Sequence, residues 1–342
     1  MLKSLSSLVF IALCVLTCSP SSSITSPFQN PAQGDTDYAI QGEYLGTNVA
    51  TGLAMGAQVM AQGQGTFALL LLDGGLPGQG WNGNGRKSFS GNRQGNSAIF
   101  VQSSFNLSVG VTGDSLTGTN ELGQTLRLVK VHRQSPTLNQ TPPAEATVLF
   151  DGTSVAAWAD AVLDSNHIMF VNIGSSGATT LQSFTDFTLH LEFRLPFEPD
   201  ASGQGRGNSG IYLQKRYELQ ILDSFGQSLP YLFAADTIEP KRQCGAFYEQ
   251  SAPLVNMAFP PLTWQTYDIQ FTSARWDSTG HKIQNAKVTV QQNGVVIHQD
   301  RILSNSTLAG SPESSSPGPH LLQYHGHEIA FRNIWITRFS PP

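Results

Sequence analysis

Phe187-Thr188-Leu189-His190-Leu191-Glu192-Phe193-Arg194-Leu195 decides the fold class. Phenylalanine or leucine fills every second position, with Thr188, His190, Glu192 and Arg194 between them. Successive side chains of a strand point to opposite faces, so this is a strand with one face on a core and the other polar. The same grammar extends outward, at 208–214, 217–222, 267–271, 286–292 and 328–338. Asn293-Gly294 sits between two apolar-rich runs, the strongest short hairpin signal. Many strands joined by loops, without helical crossovers, predict an all-β, two-sheet antiparallel sandwich.

Composition agrees. Of 342 residues, 33 are glycine and 19 proline, only 13% are charged, and the formal net charge is −5. Soluble domains average about 25% charged residues. The glycines and prolines cluster between apolar runs, where a β protein needs turns. No basic tract is present, which argues against nucleic acid or an anionic membrane surface as a partner.

Residues 1–27 read as an export signal: Lys3, an apolar run from Leu8 to Leu16, then Ser, Pro and Thr. The run is far shorter than the ~20 residues of a membrane span. Val15-Leu16-Thr17-Cys18 loosely resembles a bacterial lipobox, with an atypical threonine before the cysteine. The expectation is therefore an exported protein, periplasmic, cell-surface or secreted, whose one route to a membrane is a lipid anchor on Cys18. Cys14 and Cys18 both lie in this segment, which leaves Cys244 and no disulfide network. Residues 36–133 read as a small β-rich module, structural or binding. Residues 134–146, with Pro136, Pro142 and Pro143, read as a linker, and 147–342 as the sandwich. A chain broken by such a linker is expected to fold as two separate units.

Strand parity puts His190, Glu192 and Arg194 on one polar face. It puts Tyr212, Gln214, Arg216, Glu218 and Gln220 on another if no bulge intervenes. Such faces suit a polyhydroxylated ligand, although cross-strand ion pairs on a solvated face give the same pattern. The expectation is one concave pocket lined by Glu192, Arg194, Glu218 and Gln220. Glu218, Gln220 and Asp223 have the i, i+2, i+5 spacing that laminarinase-type sandwich glycosidases fill with Glu, Asp and Glu. Here the middle acid is an amide and the last is a shorter acid, which weakens a two-carboxylate retaining mechanism. His320, His325 and His327, beside Glu328, form a candidate metal cluster. Gly203, Gly205, Gly207 and Gly210 enter a strand and not a helix, which removes a dinucleotide site and any nucleotide cofactor.

Several stretches then fall into one order: Leu149-Phe150-Asp151-Gly152-Thr153-Ser154 leading to Trp158; Phe184 to Arg194; Asn208 to Leu213; Tyr217 to Asp223; Gly245-Ala246-Phe247-Tyr248; Trp264 to Ile269; and His325-Gly326 through Trp335. Collinear over about 190 residues, they resemble the 3-keto-disaccharide hydrolase family. The resemblance implies a concanavalin A-like jelly-roll sandwich. Tyr324 departs from it, standing where members carry Asp in Leu-Gln-Asp-His-Gly, and 166–177 replace a usual Trp-x-Val-x-Asp-Gly stretch. The N-terminal module lies outside the family.

The implied activity is cleavage of 3-keto-glycosides. A C3 ketone acidifies the C2 hydrogen; a base removes it, the aglycone leaves C1, and hydration of the enone gives net hydrolysis. Chemistry and resemblance together make Glu218 the base or a metal ligand, with Glu192 as its acidic partner. Arg194 or Arg332 would stabilise the enolate, and His325 would act as acid or metal ligand. Asn208, Tyr212, Gln220, Asp223, Tyr248 and Gln323 would hold the oligosaccharide or 3-keto-glycoside substrate. A divalent metal ion is the one cofactor this chemistry admits, polarising the C3 ketone and C2 oxygen together. The alternative is a non-catalytic carbohydrate-binding sandwich, which Tyr324 favours and fold alone does not decide.

Overall fold

The computed structural model describes residues 37–102, 107–112, 114–120, 122–227 and 238–339. Residues 1–27, expected from the sequence to be an export signal, and Cys18 within them lie outside the described residues. The first unit comprises β1 (Gly42–Asn48), β2 (Ala54–Ala61), β3 (Thr66–Asp73), β4 (Arg86–Gln94), β5 (Ser97–Gln102), β6 (Leu107–Thr112), β7 (Ser115–Thr119) and β8 (Thr125–Val131). Each strand pairs with the next and β1 closes on β8, giving an antiparallel barrel. Closure removes the unpaired edges that an open sheet would expose. On β3, Phe67, Leu69 and Leu71 join Tyr44, Phe89 and Phe100 in the barrel interior.

The second unit is the sandwich. Its strands are β9 (Thr147–Phe150), β10 (Trp158–Ala159), β11 (Ala161–Leu163), β12 (Met169–Val171), β13 (Gly177–Phe184), β14 (Phe187–Arg194), β15 (Ser209–Leu213) and β16 (Tyr217–Ile221). They continue as β17 (Trp264–Thr272), β18 (Arg275–Trp276), β19 (Lys282–Gln284), β20 (Ala286–Gln292), β21 (Val295–Leu303), β22 (Gly318–Gln323) and β23 (Ala330–Arg338). One sheet has five strands in the order β10-β13-β22-β15-β16. The other has eight, in the order β11-β12-β23-β14-β17-β20-β21, with β9 beside β23. Leu189, Leu191 and Phe193 of β14 meet Ile211, Leu213, Tyr217, Leu219 and Ile221 of the facing sheet in one core. Asn293 and Gly294, at φ 52° and 77°, make the left-handed two-residue turn between β20 and β21.

The two units are not merely strung together. Phe197 and Leu262, from loops of the sandwich, are buried in the barrel's own core. Outside the barrel, Met60, Leu70, Leu72 and Leu76 pack with Phe225 of the sandwich. Residues 134–146 form no strand and lie across the outer face of the eight-stranded sheet. Ser135 Oγ meets Thr266 Oγ1 at 2.6 Å, Thr137 Oγ1 donates to Asp268 Oδ2 at 2.6 Å, and Asn333 Nδ2 donates to the Gln140 carbonyl at 3.0 Å. An expectation of separate folding drawn from the prolines leaves these contacts out.

Candidate functional site

The polar face of the five-stranded sheet carries the candidate site. The register pairs Gly210 with Gln220 and Tyr212 with Glu218 across β15 and β16; Tyr212 also faces Leu321 of β22. Gln323 stands one position beyond the Ile211–Leu322 pair. Gln220, Gly210 and Gln323 therefore lie abreast across three strands, with Glu218 and Tyr212 in the next row. The missing side chain at Gly210 makes room for the acid: a Cβ there would lie 2.6 Å from Glu218 Oε1. Gly210→Ala should displace that carboxylate, lowering turnover while leaving thermal unfolding nearly unchanged. Full activity in the folded variant would show that the carboxylate position does not matter.

Glu218 is 4% exposed. Tyr212 Oη donates to its Oε2 at 2.8 Å, and Gln323 Nε2 donates to Tyr212 Oη at 3.2 Å. Burial pushes the Glu218 carboxyl up to about 7, against the opposing pull of the Tyr212 hydrogen bond. Burial also raises both tyrosine hydroxyls, Tyr212 and Tyr248, so each stays protonated at neutral pH. Tyr248 arrives from the loop flanking β16, its backbone N–H donating to the Glu218 carbonyl at 3.2 Å. Gln220 Nε2 donates to Gln204 Oε1 at 3.0 Å, and Asn208 Nδ2 donates to the Gln204 carbonyl at 2.7 Å. The side-chain carbonyl oxygens of Gln220 and Gln323 are buried and accept no hydrogen bond from the described residues. Such groups are costly unless a ligand donor reaches them.

Six of the residues singled out from sequence thus come together: Glu218, Tyr212, Gln220, Asn208, Gln323 and Tyr248. Glu192, Arg194 and Arg332 do not join them. They lie on the outer face of the eight-stranded sheet, with the shared core between the two faces. Parity was right within each strand, but β14 and β16 belong to opposite sheets, so their polar faces diverge. The pocket expected from Glu192, Arg194, Glu218 and Gln220 is therefore corrected to two separate sites.

Glu192 is fully buried, paired with Arg332 Nε at 2.7 Å and bonded by Asn333 Nδ2 at 2.9 Å and by the backbone N–H of Asn139. Burial alone would raise its carboxyl, but hydrogen bonds from His190, Asn333, Arg332 and Asn139 hold it below the ordinary range. Arg332 and Arg194 both lie over the Trp264 ring, at 4.1 and 5.1 Å. This cluster fastens the segment 134–146 to the sandwich.

Asp223 is also diverted. Its Oδ2 pairs with Arg206 Nε at 2.6 Å, and Arg206 Nη1 reaches the Ala61 carbonyl of the barrel at 3.0 Å. The histidine cluster does not form. His320 is buried and stacked on Phe184, with burial lowering it to about 3; His325 is exposed; His327 pairs with Glu198 at 2.8 Å. Alternation along β22 turns His320 into the core while Gln323 faces out. Among the described residues no group of three or more His, Cys, Asp or Glu is arranged to hold a metal ion. One carboxylate among amides and tyrosines does not fit a divalent-cation site of carboxylate and imidazole ligands.

Sequence reasoning missed Gln204 and Gly210. Gly210 stands in the sequence among four glycines and in the Asn208 to Leu213 stretch, with no role of its own; its place beside Glu218, eight residues on across a tight hairpin, is the signal that marks it.

A family model described as the 3-keto-alpha-glucoside-1,2-lyase-like domain matches residues 145–337. A candidate glycosyl hydrolase of Parabacteroides distasonis is 35% identical, with a TM-score of 0.52, covering 58% of this chain and 86% of its own. A second candidate glycosyl hydrolase of that organism is 16% identical, with a TM-score of 0.42, covering 57% of this chain and 94% of its own. No curated protein matches the chain.

Proposed function

The chain belongs to the 3-keto-α-glucoside 1,2-lyase-like domain family, and on that premise we propose that it is an exported carbohydrate-active enzyme cleaving 3-keto-glycosides by elimination at C2. Glu218 takes the C2 proton. The electron pair forms the C1–C2 double bond as the C1–O bond breaks, and the departing aglycone oxygen takes a proton from solvent water. Water then adds to the enone, so the net change is hydrolysis. The observation that carries this reading is the Glu218 carboxyl, raised to about 7 by burial. A base works best when its pKa lies near the working pH.

The surrounding groups have complementary roles. Tyr212 orients Glu218. Tyr248, kept protonated by burial, is the donor for charge developing at the C3 oxygen. The free carbonyl oxygens of Gln220 and Gln323 accept sugar hydroxyls. Among the described residues Asp223, the second acid of the spacing, is held by Arg206 and is not free to serve a retaining mechanism, whose two carboxyls need to stand about 5–5.5 Å apart. No step uses a metal, since the donor set does not fit one.

Release of aglycone from 3-keto-glucosides by the purified chain tests the reading. Glu192 gives an internal control. Glu192→Ala breaks a buried ion pair and should cost about 3–5 kcal/mol of stability, measured by denaturant unfolding, while kcat of the folded fraction stays unchanged. A folded Glu192→Ala protein without turnover would return this residue to the catalytic machinery.

A further inference from the structure

We propose that the open end of the N-terminal barrel binds a non-ionic amphiphile, with an apolar body inside the barrel and a polyhydroxylated head at its mouth. An eight-stranded barrel is just wide enough to be filled by its own side chains or to hold one small ligand. This barrel is filled at one end and open at the other. At one end Phe67 and Phe100 pack edge to face, and Phe197 and Leu262 from the sandwich complete the filling. At the other end a cavity of about 640 Å³ remains, within the range of sites for drug-sized ligands. Leu53, Met55, Leu71 and Leu126 supply its apolar lining.

A second observation points the same way. Val49, Leu53 and Leu122, on the two adjacent loops of this mouth, are 55%, 66% and 75% exposed. Those loops are held together, because Gln124 Oε1 accepts from both Asn48 Nδ2 at 2.8 Å and Asn120 Nδ2 at 2.9 Å. The mouth is therefore a built apolar rim over an apolar cavity, the combination an amphiphile's tail buries. The head is set by the polar lining. One acid, Asp73, and one base, Lys87, stand with the carboxamides of Asn82 and Asn84. Their formal charges cancel, and donors and acceptors are both present, which suits uncharged hydroxyls better than an anion.

The test uses the full chain and octyl β-glucoside below its micellar concentration, titrated by calorimetry, with glucose and octanoate as comparators. Saturable one-to-one binding of the glucoside is expected, with none detectable for glucose and at least tenfold weaker binding for octanoate. Ala54→Trp fills the mouth from an exposed position and should weaken the glucoside at least tenfold with an unchanged thermal transition. Leu53→Asp should weaken it as well. No saturable binding, octanoate binding tighter than the glucoside, or undiminished binding by folded Ala54→Trp would each overturn the proposal. The last result would place the glucoside elsewhere, including at Glu218. None of these outcomes depends on whether Glu218 is a base.

Discussion

Glu218→Gln is expected to abolish aglycone release and, at neutral and higher pH, to make the protein more stable. A general base contributes on the order of 10²–10⁴ in rate, and the amide cannot take a proton. The stability effect follows from the direction of the shift. Burial raises this carboxyl from 4.5 to about 7, so the folded state holds the proton more tightly than the unfolded one. That contribution is fully present below about pH 4.5 and is lost as pH rises through about 7. Above that window the wild type keeps a buried charge that the amide lacks, a difference of at most ~3 kcal/mol. The two proteins should unfold alike at pH 4 and diverge by pH 8. The wild-type kcat/KM should rise with pH and level off above about 7. A variant less stable than wild type at pH 8, or a rate independent of pH between 5 and 8, would remove the raised carboxyl from the account.

Phe197→Ala should damage the barrel severely, although Phe197 belongs to the sandwich. It is 2% exposed, lies in the barrel core and meets the Tyr38 ring edge to face at 5.2 Å. Phenylalanine to alanine in a core costs about 3–5 kcal/mol. The same reasoning covers a barrel expressed alone as residues 36–133. Without Phe197 and Leu262 one end of its core is open to water, so it should melt well below the intact chain and bind hydrophobic dyes. A sharp transition for the isolated barrel, matching that of the whole protein, would show that the plug is dispensable.

The strands were legible where one face is apolar. β14, β16, β20 and the Asn293-Gly294 turn follow directly from alternation and turn chemistry. Which sheet each strand joins was not legible, because the deciding partners lie far apart in the chain: β14 bonds to β17 and β23, and β15, the hairpin partner of β16, bonds to β22. That gap produced the mistaken union of Glu192 with Glu218. Barrel closure was hidden for a related reason. β4, with sequence RKSFSGNRQ, has no apolar alternation to announce it, and β1 meets β8 only through long-range pairing. In the site, the polar side chains on β15, β16 and β22 follow from strand parity, whereas Gly210 acts by lacking a side chain and Gln204 reaches in from a stretch that the sequence marks only as glycine-rich.

The most direct measurement follows one glucoside pair in deuterated buffer: the ordinary sugar and the same sugar carrying a C3 ketone. C2 deprotonation requires that only the ketone substrate release its aglycone, with solvent deuterium entering C2 of substrate or product, and that Glu218→Gln stop both. Cleavage of the unoxidised glucoside without exchange at C2 would contradict it, since a C3 ketone disfavours the oxocarbenium-like transition state of an ordinary glycosidase.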